Sequence, residues 1–411
     1  MIDIKTKNSM LRALLVVLWP SFVFAQNAPP CDVVVSSESA LRSEISSIQT
    51  GTGKVLCIAP GRLTLSNRIS IGKARSGTSA ARIYITARDG PGSVTIDANG
   101  HEEAFIVTAS YLSLTDLVIT GGAYHAIKVD PPSVGVRIER NHLTNNTAAG
   151  DPGGQYSAIK ACCRVRDLVV TRNRITERGS PSPNIQGFDC NGCKNAEVSF
   201  NEIYDELPDS SSLTAIQLKS GSENSDINGN KIFNAFIGVS LGGFGDPVTW
   251  GGLPADVEEQ GGIVRNNVIY NCRDAGITVI KAKDGRIYHN TLFNNGFTPD
   301  VRVVARNLDF RNNIFDRPLN FRDGTSGRQS SNIVLNAPND GALFVDAPNG
   351  DFHLKQSAAA VDQGAVVSGD VDADRDGVAR PQGGGFDVGA YELPSGDGLP
   401  PAPPKNLRIV R

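Results

Sequence analysis

The sequence predicts an all-β fold: a single-stranded right-handed parallel β-helix with a short N-terminal helical cap and an irregular C-terminal cap. Three observations predict it: a recurring Asn turn, short apolar alternations between the turns, and many turn residues. Successive copies of the Asn turn lie 32, 28, 29, 37, 23 and 23 residues apart. The copies are Asn141, Asn173, Asn201, Asn230, Asn267, Asn290 and Asn313. Stacked coils would bury one apolar interior and bring these amides into register as a ladder.

The composition agrees with a solenoid that has a narrow aliphatic core. The chain has 43 Gly and 23 Pro, which supply turns, and its aromatic content is only 6%. The formal net charge is −3. This balance gives no basic footprint for nucleic acid, so we expect no nucleic-acid partner.

The N-terminus resembles a secretory leader. A basic start is followed by a short apolar run and a small-residue cleavage motif that ends at Ala25. We therefore expect residues 1–25 to be a signal peptide and the mature protein to be secreted or periplasmic, bacterial, monomeric and without a membrane span. A transmembrane anchor is the alternative, but the run is too short and contains Pro20.

The chain divides into four predicted parts. Residues 1–25 form the leader and residues 26–342 the β-helix. The β-helix opens with an N-terminal cap whose helix is expected around Ala40–Ile45. Residues 343–393 depart from the coil pattern and form the C-terminal capping segment. Residues 394–411 form a Pro-rich flexible tail.

An exported protein with 7 cysteines is expected to form disulfides. Cys31 and Cys57 flank the N-terminal helix and are the predicted pair. A second pair, Cys163 with Cys193, is expected across neighbouring coils. The alternative for the four cysteines at positions 162–193 is a metal site. Cys272 is left over.

Aligning the coils on their Asn turns brings one strand of each coil into register. Its second and fourth positions are apolar or small and should face inward, so its third and fifth positions face outward. One outward column holds Lys128, Lys160, Asp189, Gln217, Ser240 and Thr278. The other holds Asp130, Cys162, Asn191, Lys219, Gly242 and Ile280.

With coils roughly 4.8 Å apart, a single patch should contain Lys160, Asp189, Asn191, Gln217 and Lys219. The alternative is a solvated face whose scattered charges serve solubility. Two features favour function. Gly242 beside Lys219 is expected to leave room for a ligand, and the long segment 243–262, which contains Trp250, leaves from this face.

These residue types suit β-elimination of an acidic polysaccharide, the expected partner. Lys219 is the predicted base, assisted by Lys160 and Asp189 as further catalytic residues. Asn191, Gln217, Lys160 or a Ca²⁺ held by Asp would neutralise the uronate carboxylate. Substrate contacts are predicted for Gln217, Asn191, Lys128, Asp130, Ser240 and Trp250.

Other chemistries on the same face stay open. Hydrolysis would need two flanking carboxylates, and Asp189 and Asp130 lie two coils apart, near the separation of inverting enzymes. Epimerisation of a uronate would use the same proton abstraction. A non-catalytic glycan-binding or cell-surface protein would use the face for recognition only.

The mature chain resembles the pectin-lyase-like right-handed β-helix superfamily over nearly its whole length. The resemblance is carried by the coils, the caps and the segments Gln217 to Ser222 and Ser240 to Gly243. The first segment is similar to the Lys-Ser segment of alginate- and chondroitin-type lyases, which implies a catalytic Lys at Lys219. Those lyases carry an Arg about one coil later, where this chain has Gly242 or Gly243.

The C-terminal cap contains a run typical of a calcium loop. Asp372, Asp374 and Asp376 alternate before Gly377, although Gly383 stands where the closing Glu of an EF-hand loop would be. A structural Ca²⁺ is one prediction for this run, and a solvated turn is the other.

Overall fold

The structure is a computed structural model. It describes residues 29–144, 156–177, 185–207, 212–297, 299–335, 342–367 and 369–395. The predicted leader and the predicted tail beyond residue 395 lie outside these ranges. Within the described ranges, no helix is long and apolar enough to cross a membrane.

The described strands form three long parallel sheets, and each coil adds one strand to each sheet in turn. Sheet 1 contains Val33–Val35, Lys54–Ile58, Ile83–Ala87, Leu112–Thr115, Arg137–Glu139, Val169–Thr171, Glu197–Ser199, Asp226–Asn228, Ile263–Arg265, Arg286–Tyr288, Leu308–Arg311 and Gly327–Ser330. Sheet 2 contains Gly61–Thr64, Val94–Asp97, Leu117–Thr120, His142–Thr144, Arg174–Glu177, Glu202–Asp205, Lys231–Phe233, Val268–Tyr270, Thr291–Phe293, Ile314–Phe315 and Ile333–Val334. Sheet 3 contains Ile69–Ile71, Glu103–Val107, His125–Val129, Tyr156–Cys162, Ile185–Asn191, Leu213–Lys219, Ile237–Gly242, Ala275–Ile280, Asp300–Arg302 and Asn320–Phe321. The predicted parallel β-helix is confirmed.

The smaller elements cap and decorate this solenoid. The α-helix Glu38–Ser47 begins at Ser37, whose side chain accepts a hydrogen bond from the Ala40 N–H. It buries Leu41 and Ile45 against the first coil, so the predicted N-terminal helix is confirmed. The other elements are the helix Pro247–Trp250, the 3₁₀ turns Lys73–Arg75 and Ala347–Asn349, a small sheet of Ser222–Glu223, Glu259–Gln260 and Ala282–Lys283, and the antiparallel hairpin Phe344–Asp346 with Asp351–Leu354.

The interior is a continuous aliphatic column that follows the predicted alternation. In sheet 3 the inward pairs are completely buried in coil after coil. They are Ile127 and Val129, Ile159 and Ala161, Phe188 and Cys190, Ile216 and Leu218, Val239 and Leu241, and Ile277 and Val279. Because one face of each strand is buried in this core, the register between strands is fixed, and the remaining side chains point outward at fixed positions.

A ladder of buried amides runs along the turn between sheet 1 and sheet 2. Asn173, for example, donates its backbone N–H and its Nδ2 to Oδ1 of Asn201, at 2.9 and 3.0 Å. Its Nδ2 also donates to the Ile138 carbonyl at 2.8 Å. Asn141 to Asn313 repeat this pattern, which confirms the structural role of the recurring Asn. Asn332 extends the ladder by one rung that the sequence pattern did not reveal.

The disulfides agree with the predictions only in part. Cys31 is bonded to Cys57 as predicted, and Cys272 is free and buried. The predicted pair of Cys163 with Cys193 is wrong, because the bonds join Cys190 to Cys193 and Cys162 to Cys163.

The register between the two coils explains this error. Cys193 is buried, and the next residue donates its N–H to the carbonyl of Val165, so Val165 is the inward neighbour of Cys193 in the preceding coil. Cys163 precedes this position and is only half-buried.

Candidate functional site on the outward face of sheet 3

The outward face of sheet 3 has the register that the sequence predicts. Lys128 pairs with Lys160, Lys160 with Asp189, and Asp189 with Gln217 along one column. In the neighbouring column Asn191 pairs with Lys219. Side chains separated by about thirty residues in the chain are therefore brought next to each other.

At the centre of this face two lysines flank one carboxylate. Lys160 Nζ forms an ion pair with Asp189 Oδ2, and Lys219 Nζ lies 3.7 Å from Asp189 Oδ1. Lys219 Nζ also donates to Gln217 Oε1 at 2.8 Å. We call Lys160, Asp189 and Lys219 the Lys–Asp–Lys cluster.

The cluster is buried although it lies on the outward face. The Asp189 side chain is 0% exposed and that of Lys219 is 11% exposed. Asp189 Oδ1 accepts no hydrogen bond from any described residue. Buried charge is costly unless it is fully paired and hydrogen-bonded, so a structural role alone would favour a more completely bonded arrangement.

The segment 243–262, which we call the covering loop, is anchored beside the cluster. Glu258 in the loop is buried, and its two carboxylate oxygens accept the N–H of Ser220 at 2.6 Å and of Gly245 at 2.7 Å. Its backbone carbonyl accepts the N–H groups of Gly221 and Ser222. One acidic residue therefore fastens both ends of the loop to the turn that follows Lys219.

Glycines in the turns that follow two strands of sheet 3 allow the backbone of the covering loop to lie close to these turns. A Cβ at Gly192 would lie 2.5 Å from the Trp250 carbonyl, and a Cβ at Gly221 would lie 2.7 Å from Gly251 Cα. Both glycines also have positive φ, at 67° and 81°. The loop therefore packs directly against the ends of the strands that carry Asn191 and Lys219.

Gly242 does not leave room for a ligand, contrary to the expectation. A Cβ there would lie 1.9 Å from the Ile280 carbonyl, and φ is +85°, so glycine is required by the backbone. The contact with the cluster comes from Gly243 instead. A Cβ at Gly243 would lie 3.3 Å from Lys219 Cβ and Cδ and 3.5 Å from Gln217 Nε2.

The remaining predicted residues are distributed around the cluster. Lys128 Nζ pairs with Asp130 at 3.3 Å as a separate ion pair. Asn191 Oδ1 accepts from Ser220 Oγ at 3.4 Å, beside the cluster.

Ser240 is buried, and its Oγ donates to the Gly242 carbonyl. Trp250 lies on the short helix of the covering loop, partly exposed, and its carbonyl accepts from the Arg164 side chain.

His125, at the start of the neighbouring strand, carries no charge at neutral pH. Burial, together with the adjacent Lys160 and Lys128, lowers the pKa of its imidazole to about 4. Its Nδ1 lies 3.1 Å from the Ser157 carbonyl oxygen and 3.3 Å from the Ser157 backbone nitrogen, so the tautomer decides whether the ring donates to or accepts from the next coil. Lys160 and Lys128 thus disfavour the charged imidazole, whereas Asp189 favours it.

Two carboxylates of the predicted calcium loop, those of Asp374 and Asp376, have partners within the protein. Asp374 Oδ1 accepts the N–H groups of Asp376 and Val378, and its Oδ2 accepts the Glu392 N–H. Asp376 lies 2.8 Å from His353 Nε2. No group of three or more metal-binding side chains converges in the part of the chain that the structure describes. The Ca²⁺ site at Asp372, Asp374 and Asp376 stays a prediction, and the structure does not gather these three carboxylates.

Two contributors to the site were missed by sequence reasoning. Glu258 is one, because an acid in an irregular loop carries no periodic signal. Phe244 is the other: it follows Gly243 directly, is 64% exposed, and has the Lys281 Nζ 5.6 Å from its ring centroid. Its position in a glycine-rich segment next to the cluster was the available signal.

Comparison with known proteins supports the fold. No protein-family model and no curated protein matches the chain. The solved structure of pectate lyase Pel9A aligns with a TM-score of 0.56 at 15% identity, covering 85% of this chain and 90% of that chain. An alginate lyase from Paenibacillus sp. str. FPU-7 aligns with a TM-score of 0.49 at 15% identity, covering 74% of this chain and 99% of that chain. The alignment with Pel9A supports a parallel β-helix for this chain and shows the fold alone.

Proposed function

We propose that this protein is an exported polysaccharide lyase that cleaves a uronate-containing polymer by β-elimination at the Lys–Asp–Lys cluster. The observation that carries the proposal is the buried pair of lysines around Asp189, whose Oδ1 accepts no hydrogen bond from the described residues, beside a loop anchored by Glu258. The disulfides are consistent with an oxidising compartment outside the cytoplasm.

Charge balance within the cluster suits a base that must gain and lose a proton. With both amines protonated, two ammonium groups face one carboxylate, and the surplus positive charge attracts a uronate carboxylate. When Lys219 gives up a proton, Lys160 and Asp189 remain as a neutral ion pair. The free amine of Lys219 is then the base.

In the proposed reaction Lys219 takes the proton from the carbon next to the uronate carboxylate. The carbon–hydrogen bond breaks, a carbon–carbon double bond forms, and the bond to the glycosidic oxygen breaks. The leaving oxygen receives a proton, which the newly protonated Lys219 can deliver when both groups lie on one face of the sugar. Atoms and charge balance without an oxidant or a reductant.

The uronate carboxylate needs positive partners as charge develops on it. Asn191 lies beside the cluster with its Oδ1 facing Ser220, which leaves its amide Nδ2 as a donor. Gln217 accepts a hydrogen bond from Lys219 through Oε1, and its amide nitrogen, Nε2, is a further donor. Lys160 contributes its charge from the next coil.

A non-catalytic glycan-binding protein is the second candidate, and one observation favours it. The outward column beyond Lys219 continues with Gly242 and Ile280, so it offers no guanidinium within the next two coils. A binding protein would use the same cluster to hold an acidic sugar without turnover.

The test follows the ultraviolet absorbance of unsaturated uronate. The purified protein, with and without Ca²⁺, is incubated with alginate, pectate and glycosaminoglycans. We expect absorbance to rise with at least one polymer and the rise to vanish in Lys219→Ala, while the exposed control Lys73→Ala keeps it. Binding of a polymer without any rise in absorbance would favour the glycan-binding candidate, and a rise that survives Lys219→Ala would refute Lys219 as the base.

A further inference from the structure

A polar cavity lies on a different sheet from the Lys–Asp–Lys cluster. It has a volume of about 410 Å³ and lies between the outward face of sheet 1 and the C-terminal cap. Its lining consists of Asp284, Gly285, Arg286, Tyr288, Asn307, Asp309, Arg311, Arg328, Val366, Val367 and Asp370. This volume is in the range of small-molecule sites and suits one or two sugar rings.

The floor of the cavity is a rigid, internally neutralised group. Arg311 holds Asp309 with two hydrogen bonds, of 3.0 and 2.7 Å, and Tyr288 donates its hydroxyl to Asp309 Oδ2 at 3.0 Å. Burial and the hydrogen bond to Asp309 raise the pKa of Tyr288 to about 12, so the phenol keeps its proton. The charge of Asp309 is therefore already balanced by Arg311.

Arg328 adds a positive charge beside Asp309, whose own charge is already balanced by Arg311. It is in register with Asp309 on the next strand, but its Nη2 lies 3.9 Å from Asp309 Oδ2, at the limit of an ion pair. Its side chain is 77% exposed. Arg286, on the other side of Asp309, forms an ion pair with Asp370 of the cap.

The walls of the cavity differ in polarity. The sheet side presents planar amide, carboxylate and guanidinium groups, among them Asn307, which donates to Asp284. The cap side presents Val366, which is 68% exposed, while Val367 is buried against Tyr288 and anchors the segment. A sugar ring has hydroxyls around its edge and apolar carbon–hydrogen faces, so it matches one polar and one aliphatic wall.

We propose that this cavity binds an acidic sugar unit, with Arg328 holding the carboxylate, Asn307 and Asp284 bonding the hydroxyls, and Val366 covering one face of the ring. The site would be non-catalytic. It would hold a distant stretch of an acidic polymer, so that two sites on one chain raise the affinity for long substrates. The binding does not require turnover at Lys219, although the choice of uronates as probes rests on the proposed function.

The test is calorimetric titration of the Lys219→Ala protein, in which cleavage is blocked, with a galacturonate tetramer and separately with a mannuronate tetramer. We expect two binding sites per chain for at least one tetramer. Arg328→Gln should weaken one site by about tenfold, because a charge-assisted bond to the carboxylate is lost. The exposed control Arg88→Gln should change neither site.

The outcomes separate this proposal from the lyase proposal. Since the Arg328 side chain is largely exposed, its replacement does not threaten folding. Unchanged affinities in Arg328→Gln, or no binding of either tetramer at a site that depends on Arg328, would overturn the second site. A site that depends on Arg328, found while Lys160→Gln in the same Lys219→Ala background weakens no site, would support the second site and count against the lyase proposal.

Discussion

Two stacks of polar side chains run along this solenoid, and they differ in how completely they are hydrogen-bonded. The Asn ladder repeats one residue, and each amide is satisfied by the next rung and by a backbone carbonyl. The Lys–Asp–Lys cluster uses different residues in successive coils, and within the described part of the chain Asp189 Oδ1 accepts no hydrogen bond. Both stacks are buried, but only the ladder makes the full set of hydrogen bonds that buried polar groups need.

The difference separates a structural role from a functional one. Repetition with full hydrogen bonding stabilises a solenoid, because every coil supplies the partner for the next. A single buried charge cluster with an incomplete set of bonds stabilises less and is typical of sites that act on a ligand. Substitutions in the two stacks should therefore have opposite effects on stability and activity.

The largest expected effect comes from breaking the ladder. Asn201→Ala removes four hydrogen bonds, from Asn173 N–H and Nδ2 and to Val170 O and Asn230 Oδ1. At roughly 1 kcal/mol for each bond, we expect the free energy of unfolding to fall by about 4 kcal/mol. Denaturant unfolding measures this loss. The exposed Asn349→Ala should change stability little, and an equally small change in Asn201→Ala would contradict the structural role of the ladder.

A second buried carboxylate, which forms no ion pair with the described residues, tests the effect of burial on a carboxyl pKa. Glu259 is fully buried, and its Oε2 accepts the Gly262 N–H. Burial raises the pKa of its carboxyl to about 7. The folded state therefore holds this proton more tightly than the unfolded state, so the stability that Glu259 contributes is present at low pH and is lost as pH rises to about 7.

Glu259→Gln removes this titration. We expect its stability relative to the natural protein to rise by about 3 kcal/mol between pH 4 and pH 8. Thermal unfolding across this range is the measurement, with Glu102→Gln on the surface as the control. A difference that does not depend on pH would show that Glu259 is not held neutral.

A smaller effect is expected from crowding the cluster. In Gly243→Ala the new Cβ would lie 3.3 Å from Lys219 Cβ and Cδ, so Lys219 must move by a few tenths of an ångström. We expect about tenfold slower elimination with nearly unchanged stability, because a base must be accurately placed. Gly72→Ala, where a Cβ has open space, is the matched control. An unchanged rate in Gly243→Ala would show that Lys219 needs no such placement.

The smallest effect concerns Phe244 at the edge of the cluster. Its exposed ring, with Lys281 over it, is suited to stack on a sugar and to bring a positive charge near the sugar carboxylate. Phe244→Ala should raise KM for polymer several-fold without changing the melting temperature. Val248→Ala, on the same loop and also exposed, should leave KM unchanged. An equal change of KM in Phe244→Ala and Val248→Ala would show that Phe244 makes no specific contact with the polymer.

The sequence predicted the fold and the register of sheet 3 because both depend on local periodicity. Alternation placed Ile216 and Leu218 inside and Gln217 and Lys219 outside, and the Asn spacing aligned the coils. The path of the covering loop could not be predicted, because it depends on contacts of Glu258 and on close approach to Gly192 and Gly221. These interactions are tertiary and leave no repeat in the sequence.

The wrong predictions have the same origin. Val165, and not Cys163, lies opposite Cys193 in the preceding coil. The spacing of residues in the sequence does not show such a small shift between coils. Gly242 was interpreted as open space because the sequence does not show that the Ile280 carbonyl fills it. Positions near turns are therefore harder to predict than positions within strands.

The central claim is that the ladder is structural and the cluster is functional. The most direct test measures, side by side, the unfolding midpoint and the rate of unsaturated uronate formation for Asn201→Ala and Lys219→Ala. We predict that Asn201→Ala lowers the midpoint and keeps its rate per folded molecule, whereas Lys219→Ala keeps its midpoint and loses the rate. A Lys219→Ala protein that loses its midpoint like Asn201→Ala but keeps its rate would contradict the account.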